Sequence, residues 1–268
     1  MGLAVGVLVN FGSTGAWRYT ERIVDGLLAN DFADGVSLFV TTHHVNESVG
    51  LAQRWGTRAR VVQLESPRVY TSVRWARLLQ KKLEKKLRCR LPEDRNRAKL
   101  EQCDLLFCPW PYNIAAPVVD RPLVFIPHDF TYARNFGTTL YGSKVSDMEW
   151  QMELHRGWFN RGTCVLSSAF VRDEVRRPFG CGVDPAVIPL ARLSGIGRLP
   201  EADADARVRN LGVSGRFVLC ANNLAHHKNF GQLCGAFHLL RQKHPDVCLV
   251  SVGARLMRCA GRQTTRLA

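Results

Sequence analysis

Residues 3–16 read LAVGVLVNFGSTGA. A β-branched, apolar run is broken by a glycine-rich turn, and Trp17 to Ala29 then places Ile23, Val24, Leu27 and Leu28 at helical spacing. The order is strand, glycine turn, helix. Further apolar strands, with helical stretches between them, are expected at Val36 to Thr41, Arg60 to Leu64, Asp104 to Cys108, Pro122 to Pro127, Thr163 to Ser167 and Val187 to Leu190. Continuous apolar strands alternating with helices imply a parallel sheet covered on both faces. The fold class is therefore α/β, with a Rossmann-like N-terminal domain over residues 1–191.

Residues 192–215 lose the apolar runs and gain Gly, Pro, Asp and Ala, the composition of a linker with a short helix in it. The rhythm then restarts over 216–253: the strand FVLCANN, a loop, a helix from Gly231 to Lys243 with Leu233, Ala236, Phe237 and Leu240 on one face, and the strand VCLVSVG. This is the first βαβ of a second Rossmann-like domain. Only a polar, Arg-rich tail, 254–268, follows, whereas a doubly wound sheet needs further strands to bury such a unit. The expectation is a partial second domain and an irregular basic tail.

The chain has 268 residues, 46% of them hydrophobic and 22% charged, which excludes disordered and fibrous classes. No run approaches a membrane span, and the start lacks a basic leader with a cleavage site. Nine cysteines are scattered singly without a C-x-x-C pair, as expected of small buried hydrophobes in a reducing cytoplasm. The 37 basic residues exceed the 23 acidic ones by enough to give a net charge of +14, which favours polyanions of any kind, whether nucleic acid, anionic lipid or nucleotide phosphate. The excess is concentrated: eight Lys or Arg lie between Arg74 and Arg90 against Glu84 alone, and Arg255, Arg258, Arg262 and Arg266 crowd the tail.

Three constellations carry chemistry. Gly12 and Gly15 lie where a helix N-terminus offers free N–H groups to an anion, although G-x-x-G is not a dinucleotide fingerprint and also serves plain tight turns. His128 and Asp129 follow the strand LVFIP, at the carboxyl end where ligands of open parallel sheets gather. That imidazole is either a group facing a leaving phosphate or substrate hydroxyl, or a loop histidine bonded to the Asp129 carboxylate. Asn222 to Phe230 (NNLAHHKNF) links a strand to a helix, and an ammonium at Lys228 is awkward for the helix dipole unless an anion lies between them. Adjacent histidines without a nearby Cys, Asp or Glu are a poor zinc set.

On these residues the sequence resembles the GT-B glycosyltransferases of the large retaining group 1 family. The run FVLCANNLAHHKNFGQLCGAFHLLRQKHPDVCLVSVG is similar to the start of that family's C-terminal domain. The FGSTG turn, the IPHD loop, VLSSAFVRDEV and VIPLA fall in the family's order upstream, so the likeness runs over about residues 3–253. It implies that Lys228, with Asn222 and His227, holds the donor diphosphate, that Gly12 and Gly15 approach the donor, and that His128 faces the sugar in the cleft. Ser167 matches a serine taken as structural. Asn222 stands where many members have arginine. The family's Glu-x7-Glu element has no counterpart after Gly253, so the chain reads as an incomplete GT-B enzyme. No cofactor is implied; a nucleotide sugar is the co-substrate.

Two further features need placing. Asp203-Ala-Asp205 spells the metal signature of the other glycosyltransferase fold, but it lies in the Ala-rich linker without a preceding strand, so no metal site is expected. In the basic segment, Ala76, Leu79, Leu83 and Leu87 share one helical face. Either the leucines pack on the sheet and the charged face is solvated, or the helix docks on anionic lipid.

The reading is a glycosyltransferase moving a sugar from a nucleotide-sugar donor to a glycan or lipid-linked acceptor, with retention. Its expected location is cytoplasmic or peripheral to the inner face of a membrane. Two alternatives stay open. A catalytically incomplete piece of such an enzyme predicts little turnover by the 268 residues alone. A basic nucleic-acid-binding α/β protein predicts salt-dependent DNA or RNA binding, yet the aromatics form no stacking motif among the basic residues, so no nucleic acid is expected.

Overall fold

A computed structural model describes residues 2–11, 14–30, 33–41, 45–65, 82, 96–134, 145–180, 185–190, 197–222 and 228–253. These fall into two compact units, one within Met1–Phe136 and Val145–Leu190, the other within Ala191–Ala268.

The first unit is a seven-stranded sheet, every described pair of which is parallel. Its strands are β1 (Leu3–Leu8), β2 (Ala33–Thr41), β3 (Ala59–Leu64), β4 (Leu105–Cys108), β5 (Leu123–Phe125), β6 (Thr163–Leu166) and β7 (Ala186–Val187), in the order 3-2-1-4-5-6-7. Its helices are α1 (Thr14–Ala29), α2 (Val45–Trp55), α3 (Arg97–Leu100), α4 (Thr131–Arg134), α5 (Val145–Phe159) and α6 (Ala169–Phe179). The continuous apolar strands of the sequence are thus buried on both faces. Val5, Val7 and Val9 pack with Val24 of α1 and Leu51 and Trp55 of α2. Leu8, Leu106, Cys108 and Phe125 face the other way, onto Trp158 of α5 and Val171 and Val175 of α6. The period-two alternation decides which side chain meets which layer.

Gly6, in the central strand, is small for a reason of space. A Cβ there would stand 2.6 Å from both Leu106 Cδ2 and Phe39 Cε2, so the neighbouring side chains close over a bare backbone. Ser168 caps α6, its hydroxyl accepting from Val171 N–H at 3.2 Å, and Gly180 ends the helix in the left-handed region at φ 58°. The strand order reverses between β1 and β4. There the connections leaving the two strands run to opposite faces, opening a crevice at the carboxyl ends.

The second unit contains α7 (Glu201–Asn210), β8 (Phe217–Ala221), α8 (Phe230–Lys243) and β9 (Cys248–Val252), with β8 and β9 paired in parallel from Phe217↔Cys248 to Ala221↔Val252. The linker helix is longer than a single turn, and it places Asp203 and Asp205 on exposed positions, Asp203 in the first turn, where a carboxylate favours the dipole. Asp246 accepts a forked hydrogen bond from Arg216 at 2.9 and 3.3 Å across the exposed surface. Among the described residues no helix is long and apolar enough to cross a membrane. The basic segment 74–90, apart from Lys82, and the tail 254–268 lie outside the described residues.

Of the cysteines, Cys103, Cys108 and Cys164 are buried as expected, whereas Cys234 on α8 is exposed. Burial pushes the Cys108 thiol up to about 12.

Candidate functional site

The crevice is lined by the chain segments leaving β1, β4 and β5. After β1 the apolar run ends at Asn10, whose amide nitrogen donates to the carbonyls of Trp110 at 3.2 Å and Tyr112 at 2.7 Å. A side chain from the first strand therefore fixes the loop after the fourth. After β4 that loop reads Pro109-Trp110-Pro111-Tyr112-Asn113, and Asn113 takes the left-handed conformation at φ 59°, which asparagine tolerates better than most residues. After β5 come Ile126, Pro127, His128 and Asp129. The Tyr112 hydroxyl donates to the Asp129 carbonyl, tying the two loops to each other.

His128 sits in an aromatic box. The Trp110 ring lies 4.6 Å away at 31°, and Tyr19 of α1 meets the imidazole edge-on, 4.6 Å away at 86°. The sequence left open a bond to the Asp129 carboxylate; His128 Nε2 instead lies 3.0 Å from the Pro109 carbonyl. A carbonyl only accepts, so Nε2 carries the hydrogen and the neutral ring keeps its lone pair on Nδ1. Burial lowers the basicity of His128, opposed by the Pro109 carbonyl and the Asp129 charge. The neutral ring is the resting form near pH 7, with its acceptor on Nδ1.

A second histidine lies behind these loops. His155 of α5 is fully buried; its Nδ1 shares a hydrogen bond with the Tyr132 hydroxyl, and its Nε2 lies 3.1 Å from Gln151 Nε2, one turn earlier on the same helix. Gln151 Oε1 accepts from the backbone N–H of Asn113 at 3.1 Å. The same helix donates from Trp158 Nε1 to the Ile114 carbonyl at 2.8 Å, and Arg161 just beyond it donates to Ala116 at 3.1 Å. Helix α5 thereby holds the chain that leaves the β4 loop. Burial drives the His155 basicity down to about 3, so the ring is neutral.

The other residues singled out in the sequence are placed as follows. Gly15 lies inside the first turn of α1, which begins at Thr14, three residues before the expected start at Trp17. It is exposed, and a Cβ there would meet nothing within 4 Å. Lys228 is exposed just ahead of α8, beside Asn229, which enters the helix in the left-handed region at φ 54°. Asn222 follows β8 and its backbone N–H donates to the Val252 carbonyl at 2.8 Å. Asn222 and Lys228 thus share the carboxyl end of β8 within the second unit, while His128 and Gly15 belong to the first. Gly12 and His227 lie outside the described residues. Among the described residues no three His, Cys, Asp or Glu groups come together as metal ligands.

No protein-family model matches the chain, and no curated protein matches it. Solved structures do. Anabaena Alr3699/HepE, crystallised with UDP and glucose, aligns at a TM-score of 0.50 with 15% identity, over 94% of this chain and 70% of that one. Arabidopsis thaliana UGT89C1, complexed with quercetin, aligns at 0.48 with 11% identity over 97% and 71%. At such identity the HepE alignment establishes a shared fold. The α/β architecture expected from the sequence is the one found.

The sequence reading missed Tyr19, Trp110, Tyr112 and Asn10. A usable signal was present for two of them: CPWPY begins on the last residue of the apolar strand LLFC, so Trp110 and Tyr112 stand at a strand's carboxyl end as His128 does.

Proposed function

We propose that the chain is a glycosyltransferase of the group 1 type, moving a sugar from a nucleotide-sugar donor to a glycan or lipid-linked acceptor with retention. The observation that carries this reading is His128: a neutral imidazole at the switch point of a parallel sheet, held by Pro109 so that Nδ1 is left to accept. A sugar hydroxyl is a natural donor to such a nitrogen, and the flanking Trp110 and Tyr19 rings offer apolar surface to the C–H faces of a pyranose. The fold shared with HepE, a protein crystallised with UDP and glucose, supports the same reading.

In this scheme Lys228 neutralises the charge that grows on the departing diphosphate, with Asn222 and His227 beside it. Preorganised charge of this kind is usually the largest catalytic contribution. Gly12 and Gly15 leave backbone at the start of α1 open to the donor. His128 orients the sugar and takes no metal; the nucleotide sugar is a co-substrate and no other cofactor enters. The basic segment 74–90 would bring the enzyme to anionic lipid on the cytoplasmic side, where a lipid-linked acceptor would be met.

Titration calorimetry with UDP-glucose, followed by an assay for UDP release in the presence of candidate acceptors, tests the reading. Saturable donor binding that weakens in Lys228→Ala and in His128→Gln is the expected result. Absence of binding by UDP-glucose and by the other common nucleotide sugars would overturn it.

A further inference from the structure

We propose that Gln151 of α5 is a positioning residue for His128: its carbonyl oxygen locks the exit joint of the β4 loop, the loop whose Pro109 carbonyl and Trp110 ring hold the imidazole. That the orientation of His128 matters to sugar transfer rests on the glycosyltransferase reading; the lock itself does not.

The loop Pro109-Trp110-Pro111-Tyr112-Asn113 has few soft torsions. Ring closure fixes φ at Pro109 and Pro111, and each proline also restricts the residue before it, Cys108 and Trp110. Freedom is left chiefly at Tyr112 and Asn113, where the chain leaves the loop. Asn113 makes that exit in the left-handed region at φ 59°, a conformation that persists where the surroundings impose it. The Asn10 grip on the loop carbonyls ends at Tyr112, and the Asn113 N–H donates instead to Gln151 Oε1 at 3.1 Å. Rotation at Asn113 would break this bond and carry Tyr112 and Trp110 with it. Those residues bear directly on His128: the Tyr112 hydroxyl holds the Asp129 carbonyl, the Trp110 ring lies 4.6 Å from the imidazole, and Pro109 O lies 3.0 Å from Nε2.

Gln151 is itself held in one orientation. A backbone N–H only donates, so the amide atom facing Asn113 is the carbonyl oxygen, and the NH2 end is turned to His155 Nε2 at 3.1 Å. That nitrogen must supply a lone pair, so the neutral His155 ring carries its hydrogen on Nδ1, toward the Tyr132 oxygen. Turning the amide over would set NH2 against the Asn113 N–H and leave the buried His155 nitrogen facing an acceptor. The histidine thus backs the glutamine, the glutamine holds the joint, and the joint sets the loop that carries the His128 anchor.

The full chain, labelled with 15N-histidine, gives the first test by long-range 1H–15N correlation at neutral pH, with the His128 and His155 signals assigned by their loss in His128→Gln and His155→Gln. The wild type should show His128 protonated on Nε2 and His155 on Nδ1. Gln151→Met should leave His128 as a mixture of tautomers, whereas Arg161→Ala, which removes another tie from the end of the same helix, to Ala116, should leave the His128 signal as it was. Gln151→Glu keeps an oxygen for Asn113 and faces His155 with a second one, so it should move the hydrogen of His155 to Nε2 and preserve the wild-type His128 signal; this variant decides the matter if the methionine variant does not fold. An unchanged His128 signal in Gln151→Met, or a disturbed one in Gln151→Glu, overturns the lock. The second test is UDP release from UDP-glucose. Gln151→Met is expected to lower kcat by about fivefold to tenfold, the usual effect of one neutral hydrogen bond, with Gln151→Glu recovering most of it. Combined with His128→Gln it should cost nothing more than His128→Gln alone, while a full multiplicative loss overturns action through His128. A wild type that ignores every nucleotide sugar overturns the glycosyltransferase reading, and the His128 signal then still upholds or overturns the lock.

Discussion

His128 Nε2 and the Pro109 carbonyl, 3.0 Å apart, fix which nitrogen of the imidazole is left for chemistry. Two variants separate the anchoring end of the ring from the working end. His128→Gln reaches Pro109 with an amide N–H but has no acceptor where Nδ1 was. His128→Asn keeps a carbonyl oxygen near the Nδ1 position and gives up the anchor. On the glycosyltransferase reading proposed above, His128→Gln is expected to lower kcat for sugar transfer by about a hundredfold, within the range of a positioned polar catalytic group, and His128→Asn by less. Steady-state kinetics checks the order; a larger loss in His128→Asn than in His128→Gln would show that the anchor matters and the Nδ1 lone pair does not.

Acid should destabilise the first unit through its histidines. His155 and His128 both have lower basicity in the fold than in the unfolded chain, so between the two values the unfolded state binds more protons and stability falls as pH falls. For His155 the window runs from about 6.5 down to about 3. One proton's worth of linkage is ~1.4 kcal/mol per pH unit. Urea denaturation at a series of pH values should show this slope, and His155→Gln should flatten it by about one proton. A slope unaffected by that substitution would mean that other groups govern acid unfolding.

The loop ties should be separable from the chemistry. Asn10→Ala removes two donated hydrogen bonds, to Trp110 and Tyr112, and leaves their carbonyls to water or to nothing. A cost of about 1–3 kcal/mol is expected. Tyr112→Phe removes the bond to Asp129 and should cost about 1 kcal/mol. Chemical denaturation gives both values, and donor affinity should weaken more in Asn10→Ala, because the Trp110 wall of the box is then held from one side only.

Lys228 is exposed, so Lys228→Ala should leave the melting temperature within a degree or so of the wild type, as surface substitutions usually do. If Lys228 holds a donor diphosphate as proposed, affinity for UDP-glucose falls by about tenfold or more, the scale of a lost charge-assisted bond to phosphate. Arginine there restores charge in a different geometry and should recover affinity only in part. Unchanged affinity in the alanine variant would remove Lys228 from the site.

How much of this was legible in the sequence differs from residue to residue. The strands from Leu3 to Leu166 could be read because a parallel sheet buried on both faces needs uninterrupted apolar runs, and little else in a chain looks like that. His128 could be read because it follows such a run. Tyr19 and Trp110 could not be told from core aromatics, since only the third dimension shows which ring faces another and which faces an imidazole. Gln151 and His155 were hidden for a different reason: they are polar positions on the buried face of α5, where the helical pattern predicts apolar ones. The start of α1 at Thr14 rather than Trp17 reflects glycine in the first turn, which blurs the boundary because its propensity argues against a helix that the following residues nonetheless propagate.

The inert sulfur at the end of β4 has a practical use. Only thiolates attack maleimides, and Cys108 has no exposure and almost no thiolate at neutral pH, whereas Cys234 stands on an open helix surface. Modification at Cys108 must wait for the strand beneath the His128 loop to come apart. Peptide mapping of alkylation over time would then give an opening rate at the floor of the crevice in the unaltered chain, and saturating ligand should slow that clock if it grips the loops above.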